Sequence, residues 1–119
     1  MVRFIDLPEV VEPRGSLLPF DFAALPFAPR RVFVVRDVPP GTTRGGHTHR
    51  SATQLLVRLA GAVTVEVRPA GVPATITLAD SHAGLLIPPG VWSSQTYLTP
   101  DAALLVLCDE PYDPSGYLK

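Results

Sequence analysis

Two histidines separated by one residue, His47 and His49, are the side chains of this chain best suited to chemistry. Alternate side chains of an extended segment point to the same side, so both imidazoles are expected to reach one place. Arg44 lies three residues upstream, and Gly45 and Gly46 leave the backbone between them free to bend and to approach a ligand closely. The stretch predicts acid–base chemistry by the histidines, with Arg44 on a flexible loop that suits an anion.

Two other residues with reactive side chains, His82 and Cys108, are expected to have no role in catalysis. His82 lies in the turn-like segment 80–83 and is expected to be solvated. Cys108 is the only cysteine of the chain, so it makes no internal disulfide. It ends the apolar run 102–108, which predicts that it fills the core rather than acting as a nucleophile.

The length and charge of the chain limit the classes of function. Its 119 residues predict one domain, 1–119. The net charge is −1 and the longest basic run is the pair Arg30 and Arg31, so neither nucleic acid nor an anionic membrane surface is an expected partner. We see no signal-peptide core and no apolar run near the roughly 18 residues of a membrane span, so the expected location is cytoplasmic.

Proline and glycine punctuate the chain and favour an all-β fold. Fourteen prolines and nine glycines leave few windows long enough for an amphipathic helix. We predict a turn at 14–16 and a single helical turn at Asp21–Leu25, ended by Pro26. The predicted strands close into a sandwich or small barrel and cover residues 3–7, 31–36, 54–60, 62–68, 74–78, 84–87, 92–98 and 102–108.

The segments 54–60 and 62–68 look like a hairpin joined at Gly61. Val63, Val65 and Val67 alternate with polar residues, so one face of the second strand is expected to be buried. The first strand carries apolar residues on both faces. Two covered faces predict a second sheet, a partner subunit, or both, and from this we expect a homodimer.

The tail beyond residue 110 is rich in proline and is expected to be irregular. Tyr112 and Tyr117 could pack on the barrel or line its mouth, and we favour packing.

The histidine stretch resembles the first cupin motif. That motif, G-x5-H-x-H-x3,4-E-x6-G, is met at every spacing by Gly41, His47, His49, Gln54 and Gly61, with glutamine in place of glutamate. The second cupin motif, P-x-G-x2-H-x3-N, is half present. It begins at Pro88 and Gly90, but Ser93 and Tyr97 stand where its histidine and asparagine would be.

The same departures bear on metal binding. In metal-dependent cupins, two histidines and a glutamate of the first motif and the histidine of the second hold one metal ion. Only His47 and His49 are kept here, and Gln54 and Ser93 are poor replacements. We therefore expect no metal and no other cofactor, and we treat both histidines as free for acid–base work.

A closer resemblance covers almost the whole chain, which is similar to the WxcM-like sugar-nucleotide 3,4-ketoisomerases. The residues that carry it are Arg14-Gly-Ser-Leu17, Arg31-Val-Phe33, Arg44-Gly-x-His-x-His-Arg50, Gln54-Leu55, Gly84-Leu-x-Ile-x-Pro-Gly-x-Trp92 and Tyr112-Asp-x-Ser-x-Tyr117. Members of that family are metal-independent cupin dimers that interconvert 3-keto and 4-keto forms of dTDP-4-keto-6-deoxyglucose. The resemblance implies a jelly-roll fold and a dTDP-sugar substrate.

The implied reaction gives each candidate residue a role. Moving a carbonyl from C4 to C3 requires a base near neutrality that removes the C3 proton, forms an enediol and returns a proton to C4. We expect His47 to be that base and His49 to donate a hydrogen bond to the enediolate oxygen. Arg44 would hold the oxyanion or the diphosphate. The rest of the expected binding set is Gln54, Ser93, Trp92 and Tyr97, the last two as stacking surfaces for the sugar or thymine.

Departures from the family pattern leave two alternatives. Ser93 follows Trp92 where the family has histidine, and Phe33-Val34 replaces a tyrosine-rich strand. One alternative is a cupin that binds a nucleotide sugar or other small ligand without turning it over. The other is a metal-dependent cupin oxygenase or isomerase. Metal analysis would identify the latter, and proton exchange would separate the isomerase from the binding protein.

Overall fold

Strands make up most of the computed structural model, which describes residues 1–118. They are β1 (Arg3–Asp6), β2 (Val10–Glu12), β3 (Gly15–Leu17), β4 (Arg31–Val35), β5 (Thr42–His49), β6 (Gln54–Ala60), β7 (Val63–Arg68), β8 (Ala74–Leu78), β9 (Ala83–Ile87), β10 (Trp92–Tyr97), β11 (Ala103–Cys108) and β12 (Tyr117–Leu118). Single 3₁₀ turns lie at Phe22–Ala24, Pro69–Gly71 and Pro114–Gly116. Within the described part of the chain, no helix has the length and apolar character needed to cross a membrane.

Two five-stranded antiparallel sheets face each other, which confirms the predicted all-β architecture. The first sheet has the order β1-β9-β6-β11-β4, and the second has the order β12-β5-β10-β7-β8. A separate two-stranded ribbon pairs β2 with β3. Non-polar side chains alternate along the strands, so each sheet turns one apolar face toward the other.

The main core lies between the sheets. Val63, Val65 and Val67 of β7 face Leu56 of β6 and Leu104 of β11, all at most 1% exposed. Cys108 belongs to the same cluster, which confirms its predicted place in the core. This packed interior stabilises the sandwich.

The N-terminal segment covers the outer face of the first sheet. Leu55 and Val57 of β6 are fully buried there, against Leu7, Leu18 and Phe20. Both faces of β6 are therefore covered within one chain. Residues before β4 supply the second cover, so this strand by itself gives no argument for a partner subunit, and the homodimer stays a prediction.

The strands of the sequence prediction exist, but one pairing was wrong. β6 and β7 do not form a hairpin, since β6 pairs with β9 and β11 while β7 pairs with β8 and β10. Gly61, at φ +65°, carries the chain from one sheet to the other. A Cβ at this glycine would lie 2.7 Å from the Ala102 Cα, so both conformation and space require glycine.

Two smaller differences concern the N-terminal half. The predicted turn at 14–16 occupies Pro13 and Arg14, and Gly15–Leu17 is strand β3. The predicted helical turn is confirmed as the 3₁₀ turn Phe22–Ala24, where the Asp21 carboxylate accepts a hydrogen bond from the Ala23 N–H.

Candidate active site

A cavity of about 340 Å³ lies between the sheets and contains most of the predicted site residues. That volume is within the usual range for small-molecule sites. Its polar lining consists of Arg31 from β4, Arg44, His47 and His49 from β5, Gln54 from β6, Ser93, Gln95 and Tyr97 from β10, and Tyr117 from β12. Apolar residues of β4 and β11 form the rest of the wall.

A β-bulge in β5 brings Arg44 beside the histidines. His47 is paired with Ser93 of β10, and Arg44 is paired with Gln95, two residues further along β10. Three residues of β5 thus span two of β10, and Gly45 and Gly46 take up the extra residue at φ +84° and +83°. Strict alternation would place Arg44 and His47 on opposite faces. The flexible loop that we predicted for Arg44 was wrong, because Arg44 lies within the strand.

His47 and His49 face the cavity together, as the alternation predicted, and Tyr117 lies against both. The ring centroids of the histidines are 5.4 Å apart. The Tyr117 ring lies 4.6 Å from each imidazole, because β12 pairs with β5 and places Tyr117 opposite His49. The packing role that we favoured for Tyr117 is incomplete, since this residue also lines the cavity.

The surroundings of the two histidines favour their neutral forms. Burial lowers the pKa of His47. Burial also lowers the pKa of His49, with further lowering from His47 and Arg31 and an opposing effect from the Glu110 carboxylate. Charging an imidazole here costs solvation and brings it close to another positive group. Near pH 7 both rings are available to accept a proton.

Arg31 is held at the cavity wall by aromatic residues. Its guanidinium lies 4.6 Å from the centre of the Phe33 ring and 4.9 Å from that of Tyr112. Its Nη1 donates a hydrogen bond of 3.2 Å to the Tyr117 hydroxyl. Cation–π contact and the planar guanidinium keep the charge in place beside His49. Sequence analysis missed this role, although Arg31 and Tyr117 both belong to the strings that carry the family resemblance.

The other predicted binding residues divide into two groups. Gln54, Ser93 and Tyr97 are buried and line the cavity, and the Gln54 amide donates to the Cys108 Sγ at 3.6 Å. Burial raises the pKa of Tyr97, although Arg44 opposes the shift, so its hydroxyl stays protonated and can donate a hydrogen bond. Gln95, which sequence analysis missed, lies between Ser93 and Tyr97 on the same face of β10.

Trp92 is not brought to the cavity. It precedes Ser93 on β10 and points to the opposite face, where the Arg68 guanidinium stacks 3.8 Å from its ring centre. Phe33 stands at the wall where the family pattern has a tyrosine-rich strand, and it presents a ring without a hydroxyl. His82 is exposed and lies 3.6 Å from the Asp80 carboxylate, as expected for a solvated residue.

The donor set around the histidines is short of metal ligands. Across residues 1–118, no group of three or more histidine, cysteine, aspartate and glutamate side chains is arranged to hold a metal ion. The other polar groups of the cavity wall are amides, hydroxyls and guanidinium groups. These suit an oxygen-rich, anionic ligand, and the two imidazoles suit proton transfer.

Comparison with known proteins shows that the chain is similar to sugar-modifying enzymes. Residues 1–119 match the family described as FdtA, WxcM-like, C-terminal. The TDP-4-oxo-6-deoxy-alpha-D-glucose-3,4-oxoisomerase of Aneurinibacillus thermoaerophilus is 29% identical over 118 residues, 98% of this chain and 85% of that protein.

Two solved structures of one enzyme are similar over the same extent. QdtA, a sugar 3,4-ketoisomerase from Thermoanaerobacterium thermosaccharolyticum, in complex with TDP, has 32% sequence identity and a TM-score of 0.93. The comparison covers 98% of this chain and 86% of that one. A histidine-to-asparagine mutant of the same enzyme, in complex with TDP-4-keto-6-deoxyglucose, has 31% identity, the same coverage and a TM-score of 0.93.

Proposed function

This chain belongs to the FdtA, WxcM-like, C-terminal family, and from that premise we propose that it is a sugar-nucleotide 3,4-ketoisomerase. Its substrate is a dTDP-4-keto-6-deoxyhexose, and the reaction passes through an enediol. The relatives described above act on TDP-linked sugars or bind TDP, which supports this substrate class. The family resemblance seen in the sequence is confirmed.

One observation supports the reaction most strongly, namely two half-buried imidazoles on one cavity wall with a guanidinium on the same face. Isomerisation needs a base that is unprotonated near neutrality, and the lowered pKa of both His47 and His49 meets this need. It also needs positive charge where the enolate oxygen develops, and Arg44 lines the same cavity. Both requirements are met without a metal or other cofactor.

The steps assign one proton to each histidine, which removes it from one position and delivers it to another. His47 removes the proton from C3 as the C4 oxygen becomes an enolate, and Arg44 stabilises the negative charge. His49 takes the proton of the C3 hydroxyl and, as an imidazolium, donates to the enediolate oxygen at C4. His47 then returns its proton to C4, which leaves the carbonyl at C3. Every proton that is removed is replaced, so the step is redox-neutral.

The remaining residues of the cavity bind the substrate in this proposal. Gln54 on the sheet that contains β4, and Ser93 and Tyr97 on the sheet opposite, offer an amide and two hydroxyls that can hydrogen-bond sugar hydroxyls. Ser93 is shorter than the histidine of the family pattern, so this site leaves more room beside His47. Trp92 points away from this cavity, so the proposal gives it no contact with the substrate there.

The assembly and location are further parts of the proposal. We expect the whole span 1–119 to act as one cupin domain and to form a homodimer. Val10, Val11 and Leu17 of the β2–β3 ribbon are exposed, as are Val32 and Val34 of β4, which supports a partner surface. The one cysteine is buried and free, as suits a reducing compartment, and we place the protein in the cytoplasm.

Product identification tests the function. Purified protein that carries no added metal is incubated with dTDP-4-keto-6-deoxyglucose, and the sugar is followed by NMR. We expect the C4 carbonyl signal to be replaced by a C3 carbonyl signal. Metal analysis of the same sample serves as the control, because stoichiometric bound iron, manganese, nickel or zinc would favour a metal-dependent cupin instead.

A further inference from the structure

A second, much smaller cavity shares a wall with the active site. Its volume is about 20 Å³, and its lining includes Glu110, Pro111 and Asp113 from the segment after β11. Arg31, His49 and Tyr117 line both this chamber and the large cavity. These three residues therefore form the wall between the two spaces, and His49 is the only imidazole that borders both within residues 1–118.

The chamber has the size of a water site and polar side chains in its wall. A volume of about 20 Å³ exceeds the roughly 10–15 Å³ that one water requires, and it is far below that of any substrate. A buried water also needs two to four polar partners. His49, Glu110 and Arg31 provide them.

One carboxylate oxygen of Glu110 is held by a hydrogen bond and the other is left to accept. The Ser51 hydroxyl donates a hydrogen bond of 3.0 Å to its Oε1, which ties the segment after β11 to the chain just after β5. A carboxylate can accept further hydrogen bonds at its other oxygen, Oε2. Asp113 is engaged differently, because its Oδ1 accepts from the Ser115 backbone and hydroxyl.

We propose that the chamber holds one ordered water that links His49 to the Glu110 carboxylate, and that this link orients His49 for proton transfer. The proposal rests on the function proposed above and deepens it. Glu110 is in this scheme a positioning residue, since it acts through the water and His49 and does not touch the sugar.

The water between His49 and Glu110 determines which ring nitrogen of His49 carries the proton. A water that donates to Glu110 accepts from the imidazole N–H on the chamber side of His49, so the nitrogen facing the large cavity keeps its lone pair. That lone pair can take the proton of the C3 hydroxyl. The imidazolium that forms is stabilised by the carboxylate through the water, and it gives the proton to the C4 oxygen. A similar division between an orienting carboxylate and a working imidazole occurs in catalytic triads.

Other charged and titratable groups also act on His49. Those that line the chamber with it or lie beside it are His47 on the same strand, Arg31 on β4, Tyr117 on β12, and Cys108, Glu110 and Asp113 at and after the end of β11. His47 and Arg31 lower the pKa of His49, and Glu110 is the group that raises it. Loss of the Glu110 charge should therefore lower this pKa further.

The variant Glu110→Gln tests the link with little change of shape. Ser51 still donates to the side-chain oxygen, so the amide NH₂ replaces Oε2 and turns the acceptor into a donor. In ¹⁵N-labelled protein with dTDP bound, we expect the His49 tautomer to change and its titration to move to lower pH. We also expect kcat to fall about tenfold, less than the roughly 10²–10⁴-fold cost of losing a general base or acid itself.

Asp109→Asn is the matched control. The substitution removes the same charge one residue away. The Oδ1 of Asp109 accepts a hydrogen bond from the Thr53 N–H, and Asp109 lines neither cavity. We expect it to leave the His49 tautomer and titration unchanged. Equal tautomers in wild type and Glu110→Gln, or equal effects of both variants, would overturn the link. If the wild type turns over no dTDP-sugar but the His49 signals change as expected, the link stands and the proposed reaction fails.

Discussion

Arg44 and His47 point into the same cavity although they are three residues apart on one strand. The bulge at Gly45 and Gly46 makes this possible, because one extra residue on β5 reverses the alternation between them. The geometry of the proposed site thus depends on two glycines that contribute no side chain.

Gly46→Ala tests the dependence on the bulge. Gly46 has φ +83°, and a Cβ there would meet the Trp92 ring at 3.7 Å, an ordinary contact. The left-handed backbone costs an alanine about 1–2 kcal/mol, so we expect the free energy of unfolding in urea to fall by that amount. Relief of the strain would displace Arg44 from the histidines, so KM for the dTDP-sugar should also rise.

Gly71→Ala is the control for this prediction. Gly71 has a similar φ, +79°, with nothing within 4 Å of a Cβ, and it lies in a 3₁₀ turn outside the cavity. It should lose comparable stability and keep wild-type kinetics. If Gly46→Ala loses stability but no activity, then the bulge serves folding alone.

Arg31→Gln tests the electrostatic control of His49. The positive charge of Arg31 is one of the causes that lower the pKa of His49. Its removal should raise that pKa, so the acidic limb of the kcat/KM profile should move to higher pH. Arg31→Lys keeps the charge but loses the planar guanidinium, and the acidic limb of its kcat/KM profile should stay close to that of the wild type. Identical limbs in wild type and Arg31→Gln would show that Arg31 does not control this titration.

The free energy of unfolding should depend on pH through both histidines. The pKa of each is lowered in the folded state, so the unfolded chain binds more protons once the pH falls toward 6.5, the ordinary pKa of histidine. Stability is then complete above that value and falls as the pH drops toward the lower folded pKa. Urea unfolding at pH 7.5 and 5.5 measures the difference.

Two variants separate this effect from general acid sensitivity. The double variant His47→Gln with His49→Gln should show a smaller loss of stability between these pH values. His82→Gln, at an exposed histidine, should show the full loss. An equal pH dependence in all three proteins would contradict the assignment.

The homodimer is tested by the mass in solution. The exposed apolar residues of the β2–β3 ribbon and of β4 predict that two chains associate. Light scattering after size exclusion should give twice the 12.8 kDa mass of one chain. A monomer mass that does not change with protein concentration would refute the prediction.

Local patterns in the sequence predicted the local parts of the structure. The alternation of Val63, Val65 and Val67 placed them correctly in the core, and the pair His47 and His49 faces one cavity as expected. Glycine and proline marked the strand ends within about two residues. These properties depend on neighbours in the chain, which is why periodicity and turn residues reveal them.

Contacts between residues that are distant in the chain could not be predicted from local sequence patterns. Nothing in the pattern of β6 and β7 says that they join different sheets, since a glycine turn also suits a hairpin. Tyr117 reaches His47 only because β12 pairs with β5, and Arg31 meets Tyr117 across 86 residues. The bulge could have been suspected from two adjacent glycines, but its effect on Arg44 required the register with β10.

The most direct test of the account is solvent deuterium uptake by the sugar. The wild type, incubated with dTDP-4-keto-6-deoxyglucose in D₂O, should place deuterium at the carbon next to the carbonyl. The reason is that the proton removed by His47 exchanges with solvent deuterium before His47 returns it to the sugar. His47→Asn should slow this uptake by about 10²–10⁴-fold and leave dTDP binding nearly intact, whereas His82→Asn should change neither. Tight binding of the sugar nucleotide by the wild type without deuterium uptake would contradict the isomerase and leave a binding protein.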